Sequence, residues 1–145
     1  MEITFTIPGA VVGKGRPRFS SVGSYVKAYT PAKTASYENL VKLMYQEAAQ
    51  GKRFEDDEPL CMTVEAFYDV PKSTPKKKAE KMLADEIRPT KKPDLDNVLK
   101  IIADALNTVA YRDDTQLIAA TITKRYSLTP CVIVTIKSWG IPEKE

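Results

Sequence analysis

The sequence predicts an α+β fold, an α/β layer sandwich in which a small mixed β-sheet packs against helices. Three observations lead there. Polar and apolar residues alternate near both ends of the chain, apolar residues recur at helical spacing between them, and Gly or Pro punctuates most changes of pattern. The predicted order is β-α-β-α-α-β-β, with residues 1–145 forming one domain. A chain of 145 residues with 43% hydrophobic content has the usual size of a domain and enough apolar material for a core.

Residues 2–7 alternate strictly and read as a strand with Ile3, Phe5 and Ile7 inward; Pro8 and Gly9 end it. Residues 9–29 are rich in Gly, Ser and basic side chains and read as one long functional loop. Thr30-Pro31 has the form of an N-cap followed by Pro at the first helical position. Tyr37, Leu40, Val41, Met44, Tyr45 and Ala48 then follow at helical spacing up to Gly51. Residues 60–69 read as a second strand. Ser73 or Thr74 caps a short basic helix whose apolar face is thin, with only Ala79, Met82 and Leu83. An extended basic linker, residues 87–93, leads to a helix that starts at Asp96. Val98, Leu99, Ile101, Ile102, Ala105 and Leu106 form its broad apolar face, and Asp96, Lys100 and Asp104 share the opposite stripe. Two strands, 117–125 and 131–137, complete the chain.

Composition excludes several chemistries. Histidine is absent, which removes Ser-His-Asp and Cys-His catalysis and any zinc site with His ligands. Two cysteines, Cys61 and Cys131, are too few for a disulfide framework or a zinc site and read as reduced, buried thiols. No apolar run approaches the roughly 18 residues that span a membrane. Glu2 and Thr4 interrupt the opening apolar residues, so no signal peptide is expected and the setting is cytoplasmic.

The net charge of +3 is strongly segregated. Residues 1–33 carry +4, residues 72–92 carry +5, and residues 93–116 fall to −3. Basic blocks around a compact acidic segment suit an anionic partner guided to a site that can hold cations. The acidic segment contains Asp94 and Asp96 in KPDLDN and Asp113 and Asp114 in YRDDTQ, with Lys100 between them. Carboxylate oxygens are the ligands preferred by hard cations such as Mg²⁺ and Mn²⁺. The helix from Asp96 to Asn107 rises about 17 Å. The segment 108–114 is long enough to double back over much of that length, so Asp114 can return towards Asp94 and Asp96.

Each carboxylate also has a plain structural explanation. Asp96 can cap a helix, and Asp113 and Asp114 can shape a turn. Asp94 is harder to explain this way, since it crowds a second negative charge against Asp96 unless a cation intervenes. Lys100 either faces a scissile phosphate or forms an exposed ion pair with Asp96 or Asp104. Asp104, two turns from the helix start, reads as support for Lys100. Lys14, Arg16 and Arg18 alternate along GKGRPRF, where Gly13, Gly15 and Pro17 keep the segment extended; Phe19 or Tyr25 can stack on bases. With Lys76, Lys77, Lys78, Lys91 and Lys92 they form the candidate DNA-binding set. Two other readings remain open at this point: a non-catalytic nucleic-acid-binding module or regulator, and a metal-dependent phosphotransferase acting on a small molecule. The missing phosphate-binding loop weighs against the second.

The run KPDLDNVLKIIADALN followed by YRDDTQL resembles the RusA family of Holliday-junction resolvases, in its phage and Gram-positive bacterial branch. The amino-terminal KGRPRF, the Tyr29-Thr30-Pro31 turn and the Tyr37-Glu38 pair agree with it. The resemblance implies a homodimeric, Mg²⁺- or Mn²⁺-dependent endodeoxyribonuclease of the cytoplasm, nucleoid-associated and of host or prophage origin. It would cut four-way DNA junctions symmetrically in recombination and repair. It implies metal binding by Asp94, Asp96 and Asp114, a catalytic role for these three and Lys100, and a metal-adjacent place for Asp113. Many members carry Gly where Thr108 stands, so the turn after the helix is expected to differ. A C₂ dimer also suits the two-fold symmetry of a junction that needs two matched cuts.

Overall fold

A computed structural model of the chain describes residues 1–16, 18–23, 25–29 and 31–140. The Thr30 cap therefore lies outside the described residues, as do Pro17 and the side chains of Arg18 and Tyr25. The expected α+β architecture is present. Strand β1 (Glu2–Pro8) lies at one edge of a four-stranded sheet. Strands β4 (Leu60–Asp69), β5 (Leu117–Ser127) and β6 (Cys131–Ser138) complete it in the order β1-β6-β4-β5. β6 runs antiparallel to both β1 and β4, whereas β4 and β5 are parallel. Parallel neighbours need a crossover, and the chain between β4 and β5 supplies it through α2 (Lys76–Leu83) and α3 (Leu95–Ala105).

One expectation is incomplete. The segment 9–29 contains a hairpin, β2 (Arg18–Val22) and β3 (Tyr25–Tyr29), which forms its own two-stranded sheet. Val22 pairs with Tyr25, and Gly23, just after β2, takes φ +61°, a conformation glycine adopts freely.

Helix α1 (Ala32–Ala49) lies against β1 and α3. Its buried stripe is Thr34, Tyr37, Val41, Tyr45 and Ala49, spaced by three or four residues, so Ala49 rather than Ala48 closes the face. Phe5 and Tyr45 meet edge to face at 5.7 Å, within the core built by Ile3, Phe5 and Ile7 of β1 and by Val98, Ile101 and Ile102 of α3. Ile7, Val41, Leu60, Val64, Ile101, Ile102 and Val134 are fully buried. α2 buries only Met82, and Lys76, Lys77, Lys78 and Leu83 stay exposed, as its thin apolar face implies. Cys61 and Cys131 are free but half-buried rather than buried, and lie towards opposite ends of the β4–β6 pairing.

Candidate active site

Helix α3 begins one residue earlier than its sequence suggests. Asp94 occupies the cap position with φ −65° and ψ 150°, and no side chain caps the helix by a hydrogen bond. Asp96 lies in the first turn. The capping explanation for Asp96 therefore fails. Neither carboxylate is consumed by the backbone it adjoins, although both lie at the helix end that favours negative charge. Asp96 lines one cleft with Lys100 and Asp114, while Asp94 lines another. The peptide before Pro93 is cis, and the Pro93 carbonyl accepts a hydrogen bond from the Tyr68 hydroxyl at 2.8 Å. Burial, with the Asp94 charge nearby, pushes the Tyr68 hydroxyl up to about 12.

The chain returns from α3 through a tight segment. Thr108 sits at φ +65°, a left-handed conformation that glycine adopts freely and a β-branched residue does not. Its amide donates to the Tyr111 carbonyl at 2.8 Å. The fully buried Tyr111 donates its hydroxyl to the Ala103 carbonyl of α3 at 2.6 Å, tying the return segment to the helix. Gln116 then organises a short 3-10 turn, Asp114–Gln116. Its Oε1 accepts from the Arg112 and Asp113 amides, and its Nε2 donates to the Glu55 and Glu58 carbonyls at 2.8 and 3.1 Å. Asp113 caps this turn by accepting from the Thr115 amide, and these hydrogen bonds hold its carboxyl below the usual range.

Asp114 is different. Burial, a hydrogen bond to Asp104 and the charges of Asp113 and Asp104 raise its pKa; Lys100 opposes them. Asp104 is the meeting point of the site. It accepts from Lys14 at 3.3 Å and pairs with Lys100 at 3.6 Å, so the expected support for Lys100 is present. Lys14 also reaches Glu38 of α1 at 3.1 Å. With side-chain exposures of 20% for Lys14, 16% for Glu38 and 22% for Asp104, this is a partly desolvated triad. Burial alone would lower the Lys14 pKa, but its two carboxylate partners outweigh that and raise it. The ammonium of Lys14 is thus directed inward, whereas Arg16, Lys91 and Lys92 are exposed.

The donor set fits a hard divalent cation in chemistry, since every nearby acid is a carboxylate and Asp114 is crowded by negative charge. It does not yet form a shared shell: among the described residues, no three metal-ligating side chains stand close enough to hold an ion. A common shell requires at least one of Asp94, Asp96 or Asp114 to move. Asp104, Glu38 and Gln116 carry structural roles that spacing did not reveal, apart from the (i, i+4) relation of Lys100 to Asp104.

Comparison with known proteins identifies the family. A family model described as "Endodeoxyribonuclease RusA" matches residues 8–137, from the end of β1 through most of β6. "Uncharacterized protein YqaN" of Bacillus subtilis (strain 168) is 37% identical over 137 residues, covering 93% of this chain and 95% of that protein. A match spanning hairpin, helices and sheet, with the aspartates and Lys100 inside it, identifies the chain as a member of the RusA endodeoxyribonuclease family, whose members are Holliday-junction resolvases.

Proposed function

We propose that the protein is a Mg²⁺- or Mn²⁺-dependent endodeoxyribonuclease that resolves four-way DNA junctions by paired symmetric cleavage in recombination and repair. It acts as a homodimer. The observation that carries this reading is the cleft shared by Asp96, Lys100 and Asp114 within a chain of this family. Asp94, Asp96 and Asp114 hold the cation, with Asp113 beside them. When bound, a divalent cation supplies Lewis-acid polarisation of the phosphate and lowers the pKa of an attacking water.

The remaining work falls to the protein's own side chains. Lys100, 61% exposed and anchored on one side by Asp104, offsets the charge that develops on the scissile phosphate. The Lys14–Glu38 and Lys14–Asp104 pairs fasten α1 to α3 and keep Asp104 beside Lys100. Arg16, Arg18, Lys76, Lys77, Lys78, Lys91 and Lys92 contact the DNA backbone. The absence of three converged carboxylates among the described residues favours a second reading, a non-catalytic nucleic-acid-binding module.

A labelled synthetic four-way junction separates the two. Wild type is expected to nick opposing strands with Mg²⁺ and to stop on chelation, and Asp96→Asn to bind without cutting. Metal-independent binding with no cleavage by the wild type would establish the module instead.

A further inference from the structure

A cleft of about 880 Å³ lies beside the start of α3, apart from the cleft that Lys100 lines. One wall is the loop of residues 11–16; the others are the first turn of α1 and the segment 92–97. The loop wall is fastened at three consecutive residues. Gly13 packs so closely that a Cβ there would stand 2.8 Å from the Pro93 Cβ. The Lys14 amide donates to the Asn97 carbonyl at 2.9 Å, and the Gly15 amide to the Thr34 hydroxyl at 3.1 Å. The cleft is thus built into the folded chain and does not need a ligand to create its walls.

Its charge is unbalanced. The ammonium of Lys14 is taken by Glu38 and Asp104. Three other cations line the cleft, Arg16, Lys33 and Lys92, each exposed and none within ion-pair distance of a described carboxylate. Asp94 is the one acidic residue among the lining side chains. The three cations come from three separate segments: the loop, the α1 start and the linker before α3. Cations presented by three separate segments suit successive charges along a polymer better than one small anion, and Pro31, Pro93, Val11 and Val12 in the same lining offer apolar surface to sugars.

We propose that this cleft holds the sugar–phosphate backbone of a DNA strand, with Lys33 a phosphate contact alongside Arg16 and Lys92, and with Lys14 serving as a brace of the wall. The inference rests on the nuclease reading and extends it, since it puts the strand path past Asp94, next to the cleft of Asp96, Lys100 and Asp114. Lys33 lies in the basic block of residues 1–33 but is not in the candidate DNA-binding set that the sequence singles out.

The test is fluorescence anisotropy of a labelled four-way junction over a range of salt concentrations, in EDTA so that only binding is read. Lys33→Gln is expected to weaken binding roughly fivefold near physiological salt and to reduce the slope of log affinity against log salt by about 0.7–0.9, one phosphate contact. Lys52→Gln, at the opposite end of α1, removes an equal charge and should leave the slope unchanged. Melting curves for both variants should match the wild type, since both lysines are exposed. Equal slopes for Lys33→Gln and wild type, or equal losses for both variants, would overturn the proposal. Cleavage of the same junction in Mg²⁺ is scored separately. A Lys33-dependent slope without cleavage keeps the cleft and removes the nuclease; cleavage with a Lys33-independent slope does the reverse. A wild type that binds no DNA removes both.

Discussion

Asp113 and Asp114 are neighbours in the chain and opposites in circumstance. Asp113 belongs to a turn in which polar groups are matched: its side chain accepts an amide, and Gln116 makes four hydrogen bonds, two of them to carbonyls of the loop at residues 55–58. Asp114, one residue on, faces a cleft where Asp104 and Asp113 crowd it with like charge and Lys100 offers partial relief. The difference teaches a division of labour. The turn is built for stability, and it presents a carboxylate whose own environment costs stability. Strain of that kind persists where the surrounding structure holds it, and it is characteristic of functional sites.

The largest test of this contrast is Asp114→Asn. Cleavage of a junction should fall about 10³-fold, the scale on which essential electrostatic groups act. Stability should move the other way, with Tm rising by roughly 3 °C at neutral pH. The sign follows from the raised carboxyl. A group with its folded pKa above its unfolded value contributes stability in acid and loses it as pH rises through the folded pKa. The gain over wild type should therefore vanish in acid and open as pH rises above the ordinary carboxylate range, in melting curves across pH. A lower Tm for Asp114→Asn at pH 7 would break the contrast.

Gln116→Ala is the next largest. It strands two amides and two carbonyls that Gln116 now satisfies, in a residue 9% exposed. A loss of about 2–3 kcal/mol is expected by denaturant titration, with junction affinity falling only through loss of folded protein. An unchanged midpoint would mean that the turn is held by something else. The smallest effect is that of Thr108→Gly. Relief of the left-handed φ outweighs the added chain entropy by about 0.5–1 kcal/mol, and the same titration would detect it.

How much of this was legible in the sequence differs by region. Strands β1, β4 and β6 and helices α1 and α3 were legible because each buries one face in the core; α2, which buries only Met82, was marked by its start signals instead. The β2–β3 hairpin was not legible, since Arg18-Phe19-Ser20-Ser21-Val22 shows no strict alternation of polar and apolar residues. The Gly23-Ser24 pair between two short β-compatible runs was the available signal. In the site, the Lys100–Asp104 relation could be read from a spacing of four. The second partner of Asp104 could not. Lys14 reaches it only because Gly13 lets the loop pack on Pro93 and Asn97, a tertiary event with no local pattern. Gln116 was opaque for the same reason, with partners 61 and 58 residues away. At Thr108 the departure from glycine put the turn in doubt, yet the residue takes the positive φ that glycine would adopt.

The most direct test of the account is a crystal of the protein soaked with Mn²⁺ and measured for anomalous scattering. A peak coordinated by Asp114 together with Asp94 or Asp96 is expected, with at least one carboxylate displaced from its metal-free position. Crystals that take up no ion there, from a protein whose junction cleavage also survives chelation, would contradict it.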